Sequence, residues 1–260
     1  MLFRSEEYLG LIFVYFGEGA PPPLPRFEAM EGEGLRDVTY DLMPVNFFFS
    51  LENDAFHFAF AHRDLLPQKG LQGVPKVWAE ETDWGIAMYD QWPNQNKFSV
   101  GQKGMPNVGY IVPAAIMLAK NMKHALHVSW RVPVDDASHA TFRVNLITVS
   151  NEEAEKIRAA RPPSFYDRVT ACRQGDAILR GELQFSDIKD RTHIEFIQDY
   201  VAQVGQGGVE TRNEEHLASI DACAVMWRRV WKRELQAFAD GGTLKDWRLT
   251  DKISTPSPMF

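Results

Sequence analysis

The chain has 260 residues, 45% of them hydrophobic and 12% aromatic, enough for one large domain, or a domain with an appendage, around a sizeable core. Its 28 basic and 35 acidic side chains give a net charge of -7 and no basic stripe, which argues against nucleic acid or an anionic membrane surface and favours a small-molecule partner. Cys172 and Cys223, the only cysteines, are too few for a disulfide framework and too far apart for a Cys-x-x-Cys motif, which fits a reducing cytoplasm.

The first predicted element is a buried strand over the apolar and aromatic run Tyr8 to Phe16. Gly10 interrupts the run, which is far shorter than the roughly 20 residues needed to cross a bilayer. The acidic residues before it, and the lack of a small-residue cleavage pattern after it, speak against a secretory signal. The expectation is a soluble, cytoplasmic protein with no membrane partner. Gly17 to Pro25 then forms an extended, proline-rich linker, so residues 1–25 read as the tail of a unit whose earlier part is missing, since a lone strand cannot bury its own faces.

Leu35 to Leu42 is predicted as a strand and Val45 to Ala61 as a helix. Further strands are predicted at Lys76 to Glu81, Gly85 to Gln91, Phe98 to Gly101, Val108 to Val112, His124 to Pro133 and Ala140 to Val149. The charged stretch Asn151 to Ala160 is a helix broken by Arg161-Pro162-Pro163, and amphipathic helices follow at Ile194 to Val204 and Asn213 to Ala239. Residues 241–260 are a polar tail. Strands in the middle and long helices late predict an α+β architecture, an antiparallel sheet whose concave face is covered by a long C-terminal helix, enclosing a pocket within residues 26–240.

The run Asp54-Ala55-Phe56-His57-Phe58-Ala59-Phe60-Ala61-His62 carries the chemistry. Two neutral imidazoles and a carboxylate on one face suit mononuclear Fe(II) and leave positions open for dioxygen and substrate. The histidine spacing is one residue more than stacks side chains on an ideal helix, so the helix must bend or end between them. By itself the pair stays open between a metal site and packed core, because a histidine among aromatics is commonly the latter. His124 and His127 point to opposite faces of a strand, His139 follows Asp135-Asp136 in a turn, His216 lies on a charged helical stretch, and His193 heads a late helix. The best third ligand is Asp199, in Ile197-Gln198-Asp199-Tyr200, whose alternative is an ordinary exposed helical acid, with Asp221 as runner-up, whose alternative is a charged partner such as Arg228 or Arg229.

The stretch Leu51 to Arg63 resembles the mononuclear-iron motif of the α subunits of Rieske non-heme iron oxygenases. Gly10 to Gly17 with Pro21 to Pro25 resembles the last strand of that family's Rieske domain and the linker leaving it. Trp130-Arg131-Val132-Pro133-Val134-Asp135-Asp136 is similar to a central sheet segment of the catalytic domain. Gln198-Asp199, Gly205 to Gly208 and Glu214 to Asp221 are similar to the ligand-bearing helix and following loop of the phthalate dioxygenase and aromatic O-demethylase branch.

The resemblance covers almost the whole chain in the family's order. It implies a helix-grip, START/Bet v 1-like catalytic domain at 26–240, with residues 1–25 as the remnant of a Rieske domain. It makes His57, His62 and Asp199 the iron ligands and Asp54 the acid bridging a ligand histidine to the cluster of a neighbouring subunit in a ring-shaped homotrimer. It also implies an aromatic substrate, including aromatic acids, with O2 as co-substrate, and electrons from a reductase, a ferredoxin or a Rieske-bearing chain. The sequence departs from the family in one large respect. A Rieske 2Fe-2S cluster needs two cysteines and two histidines, and neither residue type precedes His57, so these residues do not ligate that cluster.

Three classes of function follow: an oxygenase catalytic domain fed by an outside cluster, an inactive remnant or ligand-binding module of the same fold, and a zinc hydrolase using the same three ligands. A pocket wall is expected from Phe47 to Phe49, Met88, Met105, Met117 and Phe196, residue types that equally serve as core.

Overall fold

A computed structural model of the chain describes residues 4–53, 57, 59–96, 99–105, 108–109 and 125–247. Asp54, Met117, His124 and the tail beyond residue 247 therefore lie outside the described residues, as does the greater part of the strand expected over Val108 to Val112.

Two strands replace the single N-terminal one: β1 (Arg4–Tyr8) and β2 (Leu11–Tyr15) pair antiparallel, with Tyr8 opposite Leu11. Leu9 and Gly10 link them at φ 54° and 81°, the pair of positive values that a two-residue type I′ turn demands and that matches the strand twist. The charged residues Glu6 and Glu7 hide β1 in the sequence because both faces of that strand are largely exposed up to Tyr8.

The main sheet has seven antiparallel strands: β3 (Leu35–Met43), β4 (Lys76–Glu81), β5 (Gly85–Gln91), β6 (Ser99–Gly104), β7 (Val108–Gly109), β8 (Ala125–Asp135) and β9 (Ser138–Ile147), in the order β3-β9-β8-β7-β6-β5-β4. Period-two alternation gives its β3, β9 and β8 region two unlike faces. One face is apolar. Val128 and Val144 lie opposite each other there, and they share a buried cluster with Tyr8, Phe27 and Met30. Phe13 of β2 sits edge-on to Trp130 at 5.2 Å, so the N-terminal hairpin is packed onto this face rather than hanging free. The other face is polar, with Asp37, Asn145 and His127 in one cross-strand row and Asp41, Thr141 and Arg131 in another. Buried charges need partners. The following segment supplies them, since Arg161 is paired to both carboxylate oxygens of Asp37 and Arg168 lies 3.6 Å from Asp41. His139, expected in a turn, is instead a fully buried β9 residue whose Nδ1 is 2.7 Å from the Val45 carbonyl.

The helices are α1 (Phe47–Glu52), α2 (Asn151–Ala159), α3 (Arg168–Leu179), α4 (Ile194–Val204) and α5 (Ala222–Ala239). The helix expected over Val45 to Ala61 ends at Glu52, before either histidine. Asn46 caps its start by accepting from the Phe48 N–H, and the buried Lys103 ammonium donates to the Leu51 carbonyl at its end, which is how a six-residue helix has its termini satisfied. The long last helix begins at Ala222 and not at Asn213, because 209–214 and 219–221 are separate 3-10 turns. It packs through Cys223, Trp227 and Val230 against Leu51, Ile86 and Met88. Helix α3 has no counterpart among the sequence expectations: Thr170, Gly175 and scattered charge give it little amphipathic contrast. Among the described residues no helix is long and apolar enough to cross a membrane.

Gly175 lets α3 lie close against Tyr200 of α4. A Cβ built there would come within 2.4 Å of the Tyr200 ring, which is itself anchored by donating its hydroxyl to Asp176 Oδ1 at 2.8 Å. Glycine-to-alanine exchange in a helix interior ordinarily stabilises. Here Gly175→Ala is expected to destabilise by about 1–3 kcal/mol through overpacking, read as a lower denaturation midpoint in urea.

Candidate metal centre

The described residues at and after His57 are held by tight turns. The Ala61 and Phe60 N–H groups both donate to the His57 carbonyl, at 2.7 and 3.0 Å, and the Leu65 N–H donates to the His62 carbonyl at 2.9 Å. This local winding carries the two imidazoles to one side despite their spacing, with ring centroids 4.9 Å apart. Ala59, Leu66, Leu71 and Trp92 pack as a buried cluster behind the loop. A 3-10 helix over Arg63–Lys69 follows and closes at Gly70, whose φ of 68° is the left-handed conformation that glycine adopts without strain.

Asp199 comes to the same place from the middle of α4. The apolar residues Ile194, Ile197 and Tyr200 bury that helix against the core, leaving Asp199 on the flank that faces the histidine loop. His57 Nε2 is 3.4 Å and His62 Nε2 is 3.1 Å from the same carboxylate oxygen, Oδ1. Ligand atoms of all three residues lie within 4.8 Å of one another. The donor set, two imidazoles and one carboxylate from two elements, has the chemistry that suits non-heme Fe(II). It is the one such group of three or more His, Cys, Asp or Glu ligands among the described residues.

Burial pushes His57 down to about 4, with the Asp199 carboxylate opposing, so it is neutral at ordinary pH. Burial works against His62 too, but the hydrogen bond and charge of Asp199 outweigh it and raise its pKa. Burial would raise Asp199, yet the facing His57 and the hydrogen bond from His62 hold it down at about 2. Asn53, the residue ending α1, donates to Asp199 Oδ1 at 3.2 Å.

Asp221, the alternative third ligand, is accounted for locally: its carboxylate accepts from the Ala218 N–H at 2.7 Å, just ahead of α5. His127 lies on the polar sheet face, pushed down to about 3 by burial and by Arg143 and Arg131. His193 Nε2 is 2.8 Å from the Ser164 carbonyl at the head of α4, and His216 is exposed. Of the expected pocket wall, Phe49, Met88 and Met105 are buried core residues, and Phe196 packs beside Met43 and Tyr200 under the Arg168 guanidinium. A groove of about 570 Å³ lies elsewhere, between Phe47 and Phe48 of α1 and Trp231 and Leu235 of α5.

Sequence reasoning gave no role to Asn53, Asp64 or Gln198, which hold the centre together. Gln198 Oε1 is 2.8 Å from His62 Nδ1, and its Nε2 donates to Asp64 Oδ1 at 2.8 Å. The signal available was adjacency: Gln198 precedes Asp199, and Asp64 follows His62 by two residues.

No protein-family model matches the chain. Phenoxybenzoate dioxygenase subunit alpha of Ectopseudomonas oleovorans is 23% identical over 92% of this chain and 58% of its own length. The 5,5'-dehydrodivanillate O-demethylase oxygenase subunit of a Sphingobium species is 23% identical over 89% of this chain and 51% of its own. The chain thus spans little more than half the length of these curated relatives. Among solved structures, NdmB of Pseudomonas putida CBB5 shares the fold with a TM-score of 0.59, at 16% identity, covering 92% of this chain and 62% of that one. The oxygenase in a reduced oxygenase–ferredoxin complex of carbazole 1,9a-dioxygenase matches with a TM-score of 0.55, at 17% identity, over 93% of this chain and 67% of that one. The chain is thus similar in sequence to a dioxygenase alpha subunit and an O-demethylase oxygenase subunit, and it shares its fold with NdmB and with the oxygenase of carbazole 1,9a-dioxygenase.

Proposed function

We propose that residues 26–240 are the mononuclear-iron catalytic domain of an oxygenase that hydroxylates or O-demethylates an aromatic substrate, an aromatic acid in particular. The observation that carries this reading is the convergence of His57, His62 and Asp199 from a loop and a helix onto one point. The oxygenase and O-demethylase relatives support the reaction class. In this reading the antiparallel sheet and α5 form a helix-grip, START/Bet v 1-like scaffold, residues 1–25 are the end of a Rieske-type domain with its linker, and 241–260 is a tail.

His57, His62 and Asp199 would hold Fe(II), which when bound would supply dioxygen activation. The chain's own contribution is positional. His57 is kept neutral by burial and so ready to ligate, and Asp199 is kept ionised. Electrons come from a 2Fe-2S cluster not ligated by these 260 residues, delivered by a Rieske-bearing chain, a reductase or a ferredoxin. The oxygenase–ferredoxin complex among the structural neighbours supports a donor of that kind. Asp54 receives the electron path from a neighbouring subunit of a homotrimer in the cytoplasm.

Reconstitution with Fe(II) under anaerobic conditions tests the reading: one iron per chain is expected, without a 2Fe-2S absorption spectrum, and no bound metal would favour an inactive remnant or binding module. Alanine at His57, His62 or Asp199 should abolish stoichiometric iron. Full retention by Asp199→Ala would remove that residue from the ligand set. Asp54→Asn should keep iron and lose reductant-driven turnover.

Proton competition gives a pH prediction. A ligating imidazole must shed its proton. His62 is raised above 6.5 in the metal-free chain, so Fe(II) affinity is expected to fall as pH drops through that raised value, whereas His57 adds no competition until near its pKa of about 4. Titrating metal affinity between pH 8 and 5 checks this, and a flat profile counts against His62 as a ligand.

A further inference from the structure

Beyond the three ligating residues, the geometry points to Gln198, Asp64 and Arg191 as a positioning relay that orients His62 toward the metal; this rests on the metal-centre reading above. The direction of every hydrogen bond in the relay is set from its far end. An Arg guanidinium can only donate. Arg191 donates to Asp64 Oδ2 at 3.0 Å, and a carboxylate paired with a guanidinium accepts at both oxygens. The group 2.8 Å from its other oxygen, Oδ1, must then be the amide nitrogen of Gln198, which turns the amide oxygen toward His62. That oxygen is 2.8 Å from His62 Nδ1 and accepts, so Nδ1 carries a proton, and Nε2, which donates to Asp199 Oδ1 at 3.1 Å in the metal-free chain, is the nitrogen whose lone pair is freed for a metal when its proton leaves. Asn and Gln orientations and histidine tautomers are decided by such networks, and this one ends in two charged side chains that allow no reversal.

The burial gradient fits the role. His62 and Gln198 are 1% and 6% exposed, so a misdirected donor or acceptor there has no water to turn to, while Asp64 and Arg191 sit at the surface. The relay also joins the two elements that carry the centre: Asp64 opens the 3-10 helix that follows His62, and Gln198 precedes Asp199 on α4. Because the partner of His62 is a neutral amide rather than a carboxylate, it orients the ring without adding a second negative charge beside Asp199.

The test uses the full chain loaded with Zn(II), a diamagnetic ion that takes the same nitrogen and carboxylate donors, alongside Fe(II). Affinity is read by competition with a chromophoric chelator, and the His62 Nδ1–H by NMR of histidine-labelled protein. Gln198→Leu is expected to weaken both ions roughly ten- to a hundredfold and to turn a slowly exchanging Nδ1–H into a rapidly exchanging one. Asp64→Leu should weaken binding in the same direction, Asp64→Asn, whose amide oxygen still accepts from Gln198, should restore it, and the Leu/Leu double variant should bind no worse than Gln198→Leu alone. Unchanged affinity and unchanged Nδ1–H exchange in Gln198→Leu overturn the relay while leaving the metal centre intact. Should Gln198→Leu fail to fold, equal affinity in Asp64→Leu and Asp64→Asn overturns it, because Asp64 is a half-exposed position. A parent chain that binds neither ion defeats the metal-centre reading itself, and the relay with it.

Discussion

One carboxylate oxygen, Oδ1 of Asp199, draws two imidazoles to itself, and much of the surrounding structure serves to keep that arrangement in register. Desolvating a carboxylate is costly unless its charge is answered nearby. The histidines and the Asn53 amide give that answer, but only while α4, the end of α1 and the returning loop hold fixed positions. Helix α4 is anchored on several sides. Ile197 and Tyr200 are fully or nearly fully buried, Gln203 is hydrogen-bonded to Ser50 of α1, and Gly175 lets α3 approach the Tyr200 ring closely.

The sheet shows a related division of labour. Its β3, β9 and β8 strands bury an apolar face under the N-terminal hairpin and a polar face under the segment that runs from Arg161 into α3. Burial of apolar area stabilises the first face. The second gains little net energy from its ion pairs, because desolvation offsets most of the Coulomb attraction. Its effect is on register: Arg161 reaches both oxygens of Asp37, and Arg168 lies between Asp41 and the Phe196 ring, so α3, and α4 behind it, have one favourable seat on the sheet.

The N-terminal hairpin belongs to the same core as the main sheet. Tyr8, Phe13 and Phe27 meet Trp130, Val128 and Val144 in one cluster, and the Tyr8 hydroxyl accepts from the Phe27 N–H at 2.6 Å. A proline-rich linker thus separates the hairpin from the main sheet in sequence but not in packing.

Local sequence was sufficient wherever a short-range rule acts alone. Strands β4 and β5 and helix α4 follow from alternation and amphipathic spacing at the residues where they occur, and His57, His62 and Asp199 could be named as ligand candidates because their residue types are rare in such apolar surroundings. Tertiary structure decided the rest. A helix over Val45 to Ala61 satisfies local propensity, yet Asn46, Lys103 and the turns at His57 and His62 end it early, because a straight helix cannot converge two imidazoles at that spacing. Helix α3 lacks a strong amphipathic pattern, since the face it buries is shaped by Tyr200 and by charges on β3 rather than by a stripe of large apolar residues. The orientation of His62 depends on Gln198, Asp64 and Arg191, more than a hundred residues apart in part of the chain, and only folding brings such hydrogen-bond partners within reach of one another.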